Sequence, residues 1–164
     1  MRARFAAVRV CDVLRRIVTG LALGAAMLTT AGVASAQPPF DVNALPPVNP
    51  QPFAGTEGAW YSFGVPGGVT CVMDRQTGSY GCNGPLPGAP GGANVVTGWA
   101  GGPPGFGHAD GPMYGATAEP LPLPPNTRMS FRTVSCGTDG VVTSCLNTLD
   151  RSGFVISPAG SYAF

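Results

Sequence analysis

The sequence predicts a mostly-β domain: a small antiparallel sheet, sandwich or partial barrel built from two disulfide-closed hairpins. Three observations carry that expectation. Short runs of β-branched and aromatic residues alternate with Gly, Pro, Asn and Asp turn signals. Cys71, Cys82, Cys136 and Cys145 form two local pairs, each bracketing its own turn. Past residue 36, no window keeps the apolar period of about 3.6 residues that marks an amphipathic helix. A helix is expected only in the N-terminal segment.

Residues 1–36 have the features of a secretory signal peptide. Arg2, Arg4, Arg9, Arg15 and Arg16 form a basic start, and Ile17 to Val33 is an apolar run. Ala34-Ser35-Ala36 then offers the small-x-small pattern that signal peptidase accepts, so cleavage is expected between Ala36 and Gln37. The run approaches the roughly 18 residues of a spanning candidate, which makes an uncleaved anchor the alternative. Its Gly and Thr content opposes that. Arg15-Arg16 leaves a twin-arginine export route open.

Cleavage would leave Arg75, Arg128, Arg132 and Arg151 against Asp41, Glu57, Asp74, Asp110, Glu119, Asp139 and Asp150, a formal charge of −3. The chain has no Lys. Such a surface lacks the basic footprint for nucleic acid or anionic lipid, so neither is expected as a partner. No stable membrane span is expected after cleavage. All 18 prolines and 22 of the 25 glycines follow residue 36. That density exceeds the roughly 25–30% at which low complexity is expected.

The elements follow in order. Residues 37–57, with Pro38-Pro39, Pro46-Pro47, Pro50 and Pro52, are expected as a disordered, polyproline-like leader. Residues 58–164 are expected as one β domain. Trp60 to Val65 begins it, with Tyr61, Phe63 and Val65 on one face. Pro66-Gly67-Gly68 turns into Val69 to Met73, and Asp74 to Gly78 turns into Tyr80-Gly81-Cys82. Residues 83–127 are expected as a long Gly/Pro-rich loop with one strand candidate, Ala93 to Trp99. Met129 to Val134 is expected as a strand, followed by the Cys136–Cys145 hairpin. A further strand at Phe154 to Ile156 comes next. Tyr162 and Phe164 can dock both rings on one face.

Four cysteines in a small exported domain read as a disulfide framework. Three connectivities are possible, and the turn signals favour Cys71–Cys82 with Cys136–Cys145. Each closed loop would contribute about 2.5–3 kcal/mol in the chain-entropy model. A zinc site lacks any Cys-x2-Cys pair, and no metal or other cofactor is expected. The two cysteine regions share an order, Thr70-Cys71 then Asp74-Arg75 and Gly78, against Ser144-Cys145 then Asp150-Arg151 and Gly153. A duplicated hairpin and simple convergence both explain this.

Catalytic chemistry finds few residues to use. The single histidine, His108, lies in Phe106-Gly107-His108-Ala109-Asp110, and no Gly-x-Ser-x-Gly elbow supplies a serine. A P-loop fails without Lys. Scattered carboxylates leave a small hydrolase as an alternative, using acid pairs or His108. These acids stand at turns, where they ordinarily serve turn geometry. No catalytic residue is assigned.

A further pattern joins these motifs. Phe63-x-x-Pro66-Gly67-Gly68-x-x-Cys71-x-Met73, the second Cys pair, and Gly153-Phe154-x-Ile156-Ser157 ahead of Tyr162 follow one another in that order. The pattern resembles a group of small, uncharacterised exported proteins of mycobacteria and related actinobacteria. It covers about half of the chain after residue 36, and residues 83–127 take no part in it. Gly68 stands where that group has Asn, and one extra residue precedes Cys145. The resemblance implies secretion and the two staples, and brings no activity with it.

The expected role is therefore a non-catalytic binding module, secreted or in the cell envelope. Its partner would be an envelope or extracellular protein or glycan. Trp60, Tyr61, Trp99, Phe106 and Tyr114 are the candidate binding surface, since aromatics suit such contacts. A structural or inhibitor-like role is the third option. Peptide mapping without reduction should recover Cys71 linked to Cys82, and Cys136 linked to Cys145. A peptide joining Cys71 to Cys136 or Cys145 would sink the two-hairpin scheme.

Overall fold

Among the described residues the chain forms ten short strands, most of them on the alternating runs. The computed structural model describes residues 37–55, 58–113 and 119–164, so the signal-peptide reading, with its helix, and Tyr114 lie outside the described residues. Strands β1 (Trp60–Val65), β2 (Val69–Asp74), β3 (Tyr80–Asn83), β4 (Val95–Trp99) and β5 (Gly102–Gly107) form one antiparallel sheet in sequential order. A second sheet holds β6 (Thr127–Phe131), β7 (Val134–Thr138), β8 (Thr143–Asn147), β9 (Ser152–Ile156) and β10 (Tyr162–Ala163), again in sequential order. Single-turn 3-10 helices lie at Val42–Ala44, Gln51–Phe53 and Pro90–Gly92.

The sheets pack face to face as a sandwich. Cys71 pairs directly with Cys82, and Cys136 with Cys145, each bridge joining the second and third strands of its sheet. The rows through the bridges read Phe63, Cys71, Cys82, Val96, Phe106 and Met129, Cys136, Cys145, Phe154, Ala163. Both rows belong to one core. Rings cross between the sheets: Tyr80 stacks on Phe154 at 5.8 Å, and Tyr61 meets Phe131 edge-on at 5.6 Å. The Tyr80 ring needs Gly98 beside it, because a Cβ there would overlap the ring.

The two halves thus repeat one plan, a five-strand meander stapled between its second and third strands. The match sets Cys71 and Cys82 against Cys136 and Cys145. It does not set Cys71 against Cys145, as the turn residues alone suggest.

The Pro-rich segments are arms on the sandwich. Residues 37–55, part of the 37–57 segment expected as a disordered leader, run along the second sheet as far as Val48 and then reach the first, where Ala54 bridges Tyr61 of β1. The turn at Val42–Ala44 packs on β7 and β8, Val42 is buried, and Leu45 fills the space that Gly137 leaves. Arg128 of edge strand β6 donates its N–H to Pro46 O at 3.0 Å and accepts from Val48 N at 2.9 Å. Edge strand β1 is treated likewise by the segment before β6. Gly64 donates to Leu121 O and accepts from Leu123 N, both at 2.9 Å. In each parallel bridge the central residue is a proline, Pro47 or Pro122, whose missing N–H is not needed.

Two further expectations change. Residues 83–127 are not one loop: beyond β4 they hold β5, whose Gly-Pro-Pro-Gly-Phe-Gly sequence has weak strand propensity. It is an edge strand, where proline is tolerated. Met129 to Val134 is not one strand either. Phe131 pairs with Val134, and Arg132-Thr133 makes a two-residue turn with φ +52° at Arg132.

These contacts predict unequal glycine substitutions. Gly98→Ala should cost about 1–3 kcal/mol through overpacking against Tyr80. Gly105→Ala, where a Cβ meets nothing within 4 Å, should leave thermal melting nearly unchanged. Equal melting temperatures for the two variants would refute the Tyr80–Gly98 packing.

Candidate functional site

One end of the sandwich gathers the turns before β3, β5, β7 and β9. Arg132 Nη1 donates to Gln76 O at 3.2 Å, and Ser152 Oγ reaches Gly102 O at 3.4 Å, so turns of both sheets touch there. Arg75 lies over the Tyr61 ring at 5.1 Å and Arg132 over the Phe131 ring at 5.3 Å. Cation–π contact therefore flanks the Tyr61–Phe131 pair on both sides.

The β8–β9 turn is the most elaborated. Asn147 Oδ1 accepts from Leu149 N at 3.1 Å. Asp150 Oδ1 accepts from Ser152 N at 3.0 Å and from Ser152 Oγ at 2.7 Å. These side-chain acceptors hold the backbone in place of ladder bonds. Between them Arg151 sits at φ +60°, a left-handed conformation unfavourable for a long side chain. The turn displays Leu149, 66% exposed, and Arg151.

Beside this turn lies a cleft of about 920 Å3, bounded by Gln37–Asp41 of the arm, by Leu146 and Thr148, and by Arg151 and Phe164. Arg151 and Phe164 also line an adjoining hollow of about 420 Å3 with Gly101–Pro103, Asp150 and Ser152. The alternation explains the floor. Leu146, Gly153 and Phe164 face outward from the second sheet, opposite the inward Cys145 and Phe154. The Phe164 ring covers Gly153, 2.6 Å from where a Cβ would stand. Tyr162 and Phe164 do share one face, and it is this outer one. Among the described residues Arg151 forms no hydrogen bond or ion pair.

Electrostatics single out two groups here. Burial alone would raise the Asp150 carboxyl, but the Ser152 hydroxyl and N–H and further backbone donors outweigh it and hold it below the usual range. Tyr80 is fully buried, and burial pushes its hydroxyl up to about 12, with the charge of Asp150 adding to the rise. Ser152 approaches that hydroxyl and opposes the shift, yet donates to Asp150 instead. Tyr80 Oη is left buried without a hydrogen-bond partner, directly behind a residue that lines the smaller hollow.

A third cleft, about 340 Å3, lies on the outer face of the first sheet, between Thr70, Val72 and Asn83 and residues 109–113. Its amides are engaged. Asn94 bonds both backbone groups of Ala109 at 2.9 Å, and Asn83 Nδ2 donates to Asn94 O at 3.0 Å.

Among the described residues, Trp60, Tyr61, Trp99 and Phe106 of the sequence-predicted surface do not assemble. Tyr61 is a core residue, 4% exposed, because its alternation face is the inward one. Phe106 is half-buried against the core. Trp60 is half-buried beside Gly55, and Trp99 is 53% exposed at the end of β4. The two tryptophans share an end of the sheet but stand on β1 and β4, about 14 Å apart at three inter-strand steps. His108 and Asp110 are exposed, and His108 makes no side-chain hydrogen bond among the described residues. Asp41, Asp74, Asp139 and Asp150 each accept a backbone N–H of their own turn. Among the described residues no three of His, Cys, Asp and Glu gather as metal ligands. Sequence reasoning missed Phe40, Leu146 and Arg151. The available signal was the Asn-Thr-Leu-Asp-Arg-Ser run, where two Asx acceptors, Asn147 and Asp150, accompany an exposed Leu149 and Arg151.

Comparison with protein-family models, curated proteins and solved structures finds no match.

The buried hydroxyl gives a signed prediction. Tyr80 is raised in the folded state, from 10.0 to about 12, so its contribution is intact below pH 10 and is lost as pH rises toward 12. Tyr80→Phe should flatten that alkaline loss. It should also be more stable at pH 7 by about 1 kcal/mol, since an unpaired buried hydroxyl is removed. Chemical denaturation at pH 7 and pH 11 reads both effects, and a destabilised Phe variant would show that the hydroxyl is paired.

Proposed function

We propose that this protein is a non-catalytic binding module of the cell envelope or extracellular space, and that its ligand is an envelope or extracellular protein or glycan. The observation that carries the binding reading is the cleft beside the β8–β9 turn. It sets two rings, Phe40 and Phe164, and the Leu146 side chain around an arginine that nothing in the described fold engages. Aromatic and apolar walls with a few convergent polar groups suit ligand capture. An arginine held in a strained conformation and left unpaired suits an anionic or carbonyl-bearing group on the ligand.

Three features support export. Both cystine bridges fit an oxidising, extracellular-type compartment. Residues 1–36 have the charge, apolar run and small-x-small end of a signal peptide. The Cys and Gly-Phe motifs resemble those of exported actinobacterial proteins. Among the described residues no helix is long and apolar enough to cross a membrane. A carboxylate hydrolase is less well supported. A general acid needs a raised carboxyl, whereas Asp150 and Asp74 are held low by the donors that outweigh their burial.

The test uses the oxidised protein secreted from its full chain, presented to envelope extracts, culture fractions and a glycan array. Arg151→Asn keeps a residue that tolerates the left-handed turn. It should weaken the recovered interaction by about tenfold, the scale of an interface hot spot. Trp60→Ala should leave it within about twofold, as for residues outside a hot spot. Undiminished binding by Arg151→Asn would remove the cleft from the proposal.

A further inference from the structure

We infer that Gln37 is a modification site, closing to pyroglutamate once it becomes the first residue of the exported protein. The inference rests on the export reading above, because it needs cleavage after Ala34-Ser35-Ala36. Three observations then meet at one residue. The residue that cleavage exposes is a glutamine, which carries both reacting groups. Its side chain is exposed, and neither its amide nor its N–H makes a hydrogen bond among the described residues. Its carbonyl alone is held, accepting the Tyr162 hydroxyl at 2.9 Å. The end is therefore anchored at the carbonyl while the amine and the side-chain amide remain free to meet.

The chemistry balances within the residue. The α-nitrogen lone pair attacks Cδ of the side-chain amide and forms a lactam C–N bond. The Cδ–Nε2 bond breaks, and that nitrogen takes the proton shed by the amine and leaves as ammonia. Nothing is oxidised or reduced, and no co-reactant enters.

The position gives the closure a consequence. Gln37 and Pro38 stand at the rim of the cleft that holds Arg151. A free amine would add a second positive charge there, whereas the lactam is neutral and keeps one N–H donor. Closure also leaves no terminal amine for exopeptidases at the head of the arm whose Val42 and Leu45 cover the second sheet.

The full chain is expressed with its own leader in an actinobacterial host. Culture filtrate and envelope fractions are amine-labelled at neutral pH at harvest, before digestion, so that closure during work-up cannot count. The expected product is the 37–164 chain with both disulfides, lighter by one ammonia and unlabelled at its N-terminus. Gln37→Ala should be exported and carry the label. An N-terminus at Gln37 that takes the label would overturn the closure and leave the export reading standing. A start at any other residue would overturn the closure together with the assigned cleavage site.

Discussion

The two cross-strand cystines set the register on which the rest depends. Side chains alternate with a period of two along a strand, so a one-residue slip would turn every inward residue outward. Cys71 opposite Cys82, and Cys136 opposite Cys145, forbid that slip between the second and third strands of each sheet. From those central pairs the antiparallel ladders carry the register outward to Phe63 and Phe106 on one sheet, and to Met129 and Phe154 on the other. The outer face follows by parity. Leu146, Gly153 and Phe164 face outward because Cys145, Phe154 and Ala163 face inward, and the cleft floor is a consequence of the staple.

A sandwich this small must also close its edges, since an open edge pairs with other chains. Here the Pro-rich arms close β1 and β6. Their composition reads as disorder in isolation, because proline forgoes a donor and resists regular structure. That same lack is harmless beside an edge strand when the flanking residues make the bonds. Pro46 O and Val48 N serve Arg128, and Leu121 O and Leu123 N serve Gly64. Arginine reinforces the first arm, with Arg128 Nε donating to Leu45 O at 2.8 Å. High Pro content is thus compatible with a packed role where only alternate residues are asked to pair.

The strands with β-branched or aromatic alternation, and both disulfides, were legible in the sequence. Tyr61, Phe63 and Val65 do share a buried face. The misreadings have separate causes. Propensity could not reveal β5, whose glycines and prolines owe their strand to a neighbour. The arms were invisible because Val42, Leu45 and Val48 are isolated apolar residues without periodicity, and their burial is decided by a sheet distant in sequence. Arg132-Thr133 gave no Gly or Asn to mark the turn that breaks Met129 to Val134. Aromatic content pointed to binding residues, but alternation had already committed Tyr61 to the core, and only register could tell the two roles apart.

The same register explains why the candidate site lies at the turn end. Facing sheets leave no room for a ligand between them: Tyr80 and Phe154 are stacked, and a glycine at 98 leaves space for the Tyr80 ring. Under the binding reading proposed above, recognition falls to the places where strands stop. There Asn147 and Asp150 replace ladder bonds with side-chain acceptors, which frees the chain to hold Arg151 in a conformation that a ladder would not allow. A buried, unpaired hydroxyl at Tyr80 lies behind that turn. Strain in the backbone and an orphaned polar group behind it are both features that packing alone would remove. Their coincidence beside one aromatic-walled cleft is the physical case for function at this end of the fold.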